Sequence, residues 1–267
     1  LREVGFIRRA SAYFSGRAMT IDSAQLEILA AGEHHDPHSI LGLHLGDKAW
    51  SVKVLRPFAK EVTLSTKNKK VLQFKHLHGG VWEVRGTTKH PGDYRVTASY
   101  EDAPDWVSDD PYRYAPTLGE LDLHLISEGL HEELWKVLGS RFIAGSDSLG
   151  DNSGTAFAVW APNAKAVSVI GDFNGWDGTC YQMRSMGSSG IWELFIPQVK
   201  PGALYKYRIT TRDGSKITKF DPMGRQFETP PSTATVVTES EYVWRDSAWL
   251  KARSESDALA SPMSTYE

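Results

Sequence analysis

The hexapeptide G-D-F-N-G-W at residues 171–176 brings together side chains that could bind a ligand. Asp172 and Asn174 provide short polar groups, and Trp176 provides a large ring among polar neighbours. An indole face packs well on C–H groups, while carboxylates and amides hydrogen-bond hydroxyls, so this set suits a sugar ring. Burial in a core is the alternative for Trp176, but the polar loop around it favours contact with a ligand.

The segments around this loop have the pattern of β-strands. Residues 157–161 and 167–169 show the two-residue period of strands. In the Y-K-Y-R-I segment at 205–209, the tyrosines share an inward face, which directs Lys206 outward. Near Trp176, Lys206 would place an ammonium donor beside an aromatic surface. A plain solvated strand lysine is the equal alternative.

An internal repeat extends this pattern to the N-terminal half of the chain. The tryptophan segment at 80–84 matches the one at 190–194 with an offset of 110 residues, and Pro57 matches Pro162 with an offset of 105. The five extra residues of the second copy fall where the loop 171–176 lies. Short alternating strands separated by Gly and Pro turns are typical of antiparallel sandwiches. We therefore predict an all-β protein with two tandem immunoglobulin-like β-sandwiches joined by a short helical linker.

Changes in composition divide the chain into five parts. The Ser/Asp/Gly-rich stretch at 145–154 indicates a joint between domains. An arginine-rich start favours a disordered leader, with an amphipathic targeting arm as the alternative. We predict a leader at 1–20, a first sandwich at 21–117, a helical linker at 118–145, a second sandwich at 146–250, and a connector with the first strand of a truncated further domain at 251–267.

Two short helices are expected beside the sandwiches. The D-S pair at 22–23 can cap a helix that ends at Gly32. In the linker, Ser127 can cap a second helix that contains Trp135 and ends at Gly139. We expect Trp135 to pack this helix onto a sandwich.

The composition of the 267 residues argues against several classes of function. A net charge of −3 without a basic stripe gives no electrostatic basis for nucleic-acid binding. No apolar run is long enough to span a bilayer, so no membrane partner is predicted. The single cysteine, Cys180, excludes an internal disulfide framework and a Cys-based zinc site. A reducing compartment, the cytoplasm, is the simplest interpretation, and no cofactor is predicted.

The segment 33–44 contains four histidines and Asp36, which raises the possibility of a metal site. The spacing places no two of these groups four residues apart on an expected helix, and Asp36-Pro37 is a turn signal. We therefore predict no metal here. Turn capping and side-chain hydrogen bonds are the better interpretation.

Longer motifs resemble known protein families. The second half of the chain resembles the glycogen-binding, family-48 carbohydrate-binding module that precedes α-amylase-type barrels, in W-A-P-N-A-x-x-V-x-V-x-G-D-F-N-G-W, G-I-W-E-L, Y-K-Y and F-D-P. Upstream, G-E-H-H-D-P-H-S-I-L-G-L-H and D-P-Y-R-Y resemble the extra N-terminal domain of bacterial glycogen branching enzymes. The closing P-M-S-T-Y-E resembles the first strand of that family's catalytic barrel. The resemblance covers about residues 20–267.

This resemblance implies a part in glycogen biosynthesis. Branching enzymes transfer α-1,4-glucan pieces to 6-hydroxyls by retaining chemistry, with an aspartate nucleophile and a glutamate acid/base. Those residues belong to barrel segments that this sequence does not contain, so we predict no catalytic residue here and no activity for this chain alone. The implied partners are an α-glucan (glycogen, amylose or a maltooligosaccharide) and the catalytic barrel.

The resemblance also implies roles for individual residues. Trp176 corresponds to the sugar platform of the family-48 module and Lys206 to its partner. Asp172 and Asn174, chosen above for the chemistry of their side chains, complete the expected carbohydrate-binding set. Regulatory kinase subunits with this module have a second tryptophan after an Asp-Gly turn. Here the turn at 213–214 is followed by S-K-I. A module that mainly braces the barrel is therefore the alternative to a tight glucan binder.

Two further functions remain open from the sequence. A free-standing glycogen- or starch-binding module would account for Trp176 without any catalysis. A tandem immunoglobulin-like interaction protein would account for the repeat, since a fold does not fix a function. Glucan binding distinguishes both the enzyme and the module from the interaction protein.

Overall fold

The computed structural model describes residues 21–46, 49–87, 90–240, 242–257 and 260–266. The expected leader at 1–20 lies outside the described residues. All strand pairs among the described residues are antiparallel. Four main sheets form two sandwiches, which confirms the predicted all-β class. In the described part of the chain, no helix is long and apolar enough to cross a membrane.

The first sandwich packs two four-stranded sheets over a core that includes the buried rings of Trp50 and Trp82. Its strands are Gly42–Leu45 (β1), Trp50–Leu55 (β2), Glu61–Thr66 (β3), Val71–Gln73 (β4), Lys75–His78 (β5), Val81–Gly86 (β6), Tyr94–Ser99 (β7) and Trp106–Ser108 (β8). One sheet has the order β1-β2-β6-β5 and the other has the order β4-β3-β7-β8.

The second sandwich repeats this plan. Its strands and the preceding hairpin are Gly139–Ile143 (β9), Ser146–Asp147 (β10), Gly150–Asp151 (β11), Gly154–Trp160 (β12), Ala166–Gly171 (β13), Arg184–Ser185 (β14), Ile191–Pro197 (β15), Leu204–Thr210 (β16), Lys216–Lys219 (β17) and Thr235–Val236 (β18). One sheet has the order β14-β15-β12-β9, and in the other β16 pairs with β13, β17 and β18. Within the described part of the chain, the strands β10 and β11 pair only with each other.

Equivalent hydrogen bonds in the two sandwiches confirm the repeat. The indole of Trp82 donates to the carbonyl of Arg56 at 3.1 Å, and that of Trp192 donates to the carbonyl of Ala161 at 3.0 Å. Each acceptor directly precedes one of the two prolines that define the 105-residue offset. In both copies, therefore, a tryptophan indole donates to the backbone carbonyl that directly precedes the matching proline.

Three helices lie among the described residues: Ser23–Ala30 (α1), Glu120–Ser127 (α2) and Ser247–Glu255 (α3). The first was predicted correctly, since the Asp22 carboxylate accepts a hydrogen bond from the backbone of Ala24. Gly32 follows the helix with a left-handed φ of 75°. Residues 262–266, the expected opening strand of a further domain, form no strand.

The predicted start of the linker helix was wrong, because Ser127 ends α2 instead of beginning a helix. Acidic residues in the first turn and the Asp122 carboxylate, which accepts from the backbone of Gly119 at 3.1 Å, favour the earlier start. Gly129 then adopts a left-handed φ of 69° and stops the helix. Trp135 lies in the short 3-10 turn that follows and is 52% exposed, whereas the nearby Leu138 is buried in a cluster with Ala158 and Ile191 of the second sandwich.

The two sandwiches share a core with the N-terminal segment. Leu29 and Leu41 of that segment and Tyr112 of the first half are buried in one cluster with Phe157 and Val169 of the second sandwich. The polar joint at 145–154 is thus not the only connection between the halves. This shared core fixes the orientation of the second sandwich, which carries the predicted binding loop.

Candidate functional site

The loop 171–176 is built around the side chain of Asn174. Its Oδ1 accepts from the backbone of Gly171 at 2.8 Å, and its Nδ2 donates to the carbonyls of Val169 and Asp177 at 3.1 and 2.9 Å. Three hydrogen bonds engage the amide within the loop itself. We therefore interpret Asn174 as a residue that holds the loop rather than one that contacts a ligand.

Asp172 attaches the same loop to the neighbouring sheet. Its exposed carboxylate accepts a hydrogen bond from the backbone of Leu204, at the start of β16, at 3.1 Å. Because β16 also carries Lys206, this bond fixes the loop relative to the lysine.

The ring of Trp176 is held on the surface of this loop with 40% of the residue exposed. Its backbone has a left-handed φ of 61°, directly after Gly175 with the same φ. For a bulky residue, this conformation costs on the order of 1–2 kcal/mol. The bond from the Trp176 amide to the carbonyl of Gly171, at 2.9 Å, helps to maintain it. The backbone thus presents the indole outward at an energetic cost.

The structure brings Lys206 to this ring, a position that the sequence analysis weighed equally against that of a plain solvated strand lysine. Its Nζ lies 5.8 Å from the centroid of the Trp176 ring, within the range of a cation–π interaction. The same Nζ donates to the hydroxyl of Thr233 at 2.8 Å. An ammonium group with three donors can therefore reach the hydroxyls of a ligand that covers the indole.

Thr233 was missed by the sequence analysis. It lies 27 residues beyond Lys206, in an irregular segment just before β18. Neither strand period nor a turn signal singles it out, because the contact depends on the return of the chain beside β16. Only the pairing of β18 with β16 could have indicated this contact.

The buried carboxylate of Asp221 holds β16, the strand that carries Lys206, from its inward face. The hydroxyls of Tyr205 and Tyr207 donate to Asp221 at 2.7 and 2.9 Å. Burial raises the pKa of Asp221, and the hydrogen bonds from both tyrosines oppose that shift. Burial and the nearby Asp221 raise the pKa of Tyr207 well above its usual range, so it remains a donor. This arrangement holds the inward face of β16 and leaves Lys206 on the outward face.

The segment after the turn at 213–214, which contains no second tryptophan, contacts the N-terminal segment instead. Lys216 bonds the carbonyl of Ala31 at 3.2 Å and forms an ion pair with Glu33 at 3.4 Å. Ile217, the next residue, is partly exposed. This corner of the second sandwich is therefore joined to the N-terminal segment and offers no second indole.

The histidine segment at 33–44 forms hydrogen bonds and packing contacts. His34 bonds Gln25 at 2.8 Å, and His44 bonds the carbonyl of Leu41 at 3.0 Å. His38 is buried with its ring 5.0 Å from that of Tyr112. No group of His, Cys, Asp and Glu able to hold a metal occurs among the residues with described positions. The segment instead connects the N-terminal region to the second sandwich.

Comparison with known proteins matches two regions of the chain to domain families. Residues 22–112 match the family described as alpha-1,4-glucan branching enzyme GlgB, N-terminal domain. Residues 138–224 match carbohydrate-binding module 48 (isoamylase N-terminal domain). The second region contains both Trp176 and Lys206.

Similar curated proteins are named 1,4-alpha-glucan branching enzyme GlgB. Those of Leifsonia xyli subsp. xyli, Thermobifida fusca and Rhodococcus jostii are 46%, 49% and 46% identical over 92%, 91% and 94% of this chain. The matched regions are 34%, 33% and 34% of those proteins, so the chain spans about a third of their length.

Among solved structures, a pullulanase from Anoxybacillus sp. LM18-11 is similar over 74% of this chain and 27% of its own, at 16% identity and a TM-score of 0.30. The domain matches and the curated relatives agree on one assignment. The chain corresponds to the N-terminal region of proteins named 1,4-alpha-glucan branching enzyme GlgB, and it contains regions that match the GlgB N-terminal domain and carbohydrate-binding module 48.

Proposed function

We propose that the chain serves as the N-terminal part of a 1,4-alpha-glucan branching enzyme and binds α-glucan through Trp176 and Lys206. The observation that carries this proposal is the exposed indole, held in a left-handed backbone conformation with an ammonium group 5.8 Å from its centroid. The names of the relatives support the enzyme assignment.

The two groups have complementary tasks in this proposal. The indole face of Trp176 packs on the C–H face of a glucose ring, and Lys206 donates to its hydroxyls. Thr233 orients the ammonium group through its 2.8 Å bond. Because loop and strand are both held by backbone hydrogen bonds, little ordering is needed when the ligand binds.

Catalysis is assigned to another part of the enzyme. Retaining chemistry requires two carboxylates about 5–5.5 Å apart at an open site. The buried carboxylates here have structural partners instead: Asp110 accepts from Tyr94 at 2.6 Å, and Glu193 pairs with Arg184 at 3.3 Å. We therefore expect this chain alone to bind glucan without branching it.

The remaining partner is the catalytic barrel. Exposed aromatic residues near the C-terminal end, Tyr242, Trp244 and Trp249, are suited to pack against further polypeptide. We propose the division at 21–117, 118–145 and 146–250 for the described domains. A cytoplasmic location stays a prediction, supported by the unpaired Cys180.

Native affinity electrophoresis in gels with and without glycogen tests the binding site. We expect glycogen to retard the unchanged chain, and Trp176→Ala to abolish the retardation because the platform is lost. Trp160→Ala is the matched control, since this exposed indole lies on β12 in the other sheet of the same sandwich. Equal retardation of all three proteins would contradict the proposed site and favour a bracing role.

A further inference from the structure

Two phenylalanines form an exposed pair just after β17. Phe220 and Phe227 are 53% and 45% exposed, and their ring centroids are 5.7 Å apart at an interplanar angle of 90°. This edge-to-face geometry is one that aromatic pairs prefer. Neither ring belongs to the hydrophobic core of the sandwich, so the pair needs an explanation outside that core.

Strand register places Phe220 beside Lys206. Tyr207 of β16 lies opposite Lys219, the last residue of β17. Continuing this antiparallel register by one residue brings Phe220 opposite Lys206. Because the side chain of Tyr207 points inward, the next position on each strand points outward. The Cβ atoms of directly opposite residues on neighbouring strands lie about 5 Å apart. This register therefore places the side chain of Phe220 directly beside that of Lys206.

The first sandwich provides an independent check of this placement. There, Val96 of β7 lies opposite Ser108 of β8, which is the same register shifted by 111 residues. The positions equivalent to Lys206 and Phe220 are Arg95 and Asp109. Their side chains are in contact at 3.3 Å. The fold therefore brings the side chains at these two positions together.

We propose that Phe220 is a second sugar platform, on the opposite side of Lys206 from Trp176. The Trp176 loop follows β13, and Phe220 follows β17, which pair with the two opposite edges of β16. The two rings thus flank the lysine across the outer face of the sheet. This inference rests on the proposed function and deepens it: the site takes an α-1,4-linked chain of several glucose units and binds it more tightly than a disaccharide.

We identify the ligand at Phe220 as a glucan because this ring continues the surface formed by Trp176 and Lys206. A ligand that covers Trp176 and reaches Lys206 must extend over β16 toward Phe220 if it is longer than a short oligosaccharide. Successive glucose units offer an apolar face to each ring and hydroxyls to the lysine between them. The competing occupant is further polypeptide of the enzyme, and the test below distinguishes the two.

Isothermal titration of this chain with maltose and with maltoheptaose provides the test. We expect Phe220→Ala to weaken maltoheptaose binding by about five- to tenfold and to change maltose binding less than twofold, while Phe220→Trp retains both affinities. Trp176→Ala should weaken both sugars. Phe58→Ala is the control, because this phenylalanine is 95% exposed on the first sandwich.

The outcomes separate this inference from the proposed function. If Trp176→Ala weakens both sugars and Phe220→Ala weakens neither, the second platform is wrong and the proposed function stands. Unchanged maltoheptaose affinity in Phe220→Ala therefore excludes glucan as the occupant of this ring. Equal weakening of both sugars by Phe220→Ala overturns the selection for longer chains. If the unchanged chain binds neither sugar, the proposed function fails as well.

Discussion

At the scale of residues, the binding loop contains one side chain that faces outward and another that holds it there. Trp176 presents its ring from a left-handed backbone, and Asn174 crosses the loop with three hydrogen bonds. The expectation that both residues contact sugar came from their shared loop. An amide whose oxygen and nitrogen are both engaged in this way is not free for a ligand. We therefore propose that Trp176 contacts the sugar and that Asn174 holds the loop.

Asn174→Ala tests this division of roles. The substitution leaves the Gly171 amide and the Val169 carbonyl without their side-chain partner, which we expect to lower the free energy of unfolding by roughly 2 kcal/mol. Glycogen retardation should decrease too, because the indole loses its fixed position. Urea unfolding followed by fluorescence measures the first effect. Asn163→Ala, at an exposed turn, is the control, and equal stability of the two variants would contradict the role of Asn174.

At the scale of elements, local patterns predicted the strands and missed contacts between distant segments. The matching segments around Trp82 and Trp192 predicted two similar sandwiches, and in β7 and β16 the two-residue period agrees with alternating burial of the side chains. The linker helix was misplaced because Ser127 is an acceptable cap in isolation, whereas the residues before it form a better helix start. The N-terminal segment that covers the second sandwich has no two-residue period. Its partners are remote in sequence, so no local pattern indicates these contacts.

This N-terminal segment also explains an expected dependence on pH. The rings of His34, His38 and His44 are all shielded, and burial is the largest cause that lowers the pKa of each. The guanidinium of Arg184 further lowers the pKa of His38. The folded state therefore holds these histidines neutral at a pH where the unfolded chain protonates them.

Acidification should destabilise the protein through these histidines. Their pKa values are lower in the folded state than in the unfolded state, so the stability is complete above about pH 6.5 and is lost as the pH falls. Each such histidine contributes a slope of up to about 1.4 kcal/mol per pH unit. We expect His38→Phe to reduce the slope of unfolding free energy between pH 7 and 5. The exposed His78, changed to Phe, should leave the slope unchanged, and an unaltered slope in His38→Phe would refute this account.

At the scale of the whole molecule, equivalent faces of the two sandwiches have different uses. Lys206 of the second sandwich faces outward beside Trp176, whereas Arg95 at the equivalent position of the first forms two bonds with Asp147, at 2.9 and 3.1 Å. Arg113 adds a third bond to Asp147 at 2.9 Å. The hairpin β10–β11 thus occupies the face that the second sandwich leaves exposed for a ligand. This difference supports the proposal that glucan binds to the second sandwich.

The contact of Asp147 with Arg95 and Arg113 also makes the polar joint at 145–154 a rigid connection. Its composition predicted a boundary between domains, yet the Asp147 side chain is fully buried between two arginines. Removing one partner of a buried ion pair leaves the other charge uncompensated, at a cost of about 3–5 kcal/mol. Since Arg95 and Arg113 retain contacts with Asp109, we expect Asp147→Ala to cost about 3 kcal/mol, the lower end of that range.

Asp147→Ala should therefore lower the global stability and expose the joint, while the glucan site remains. Hydrogen exchange measured by mass spectrometry should show lost protection in the hairpin and in β7, because the hairpin no longer covers the first sandwich. Asp151→Ala, in the same hairpin, removes a surface pair with Lys200 and a hydrogen bond from the backbone of Ser153, and it should change less because Asp151 is exposed. Glycogen retardation should persist in both variants, since Trp176 and Lys206 lie on the other sandwich. If Asp151→Ala loses as much protection as Asp147→Ala, the buried contact does not fix the joint.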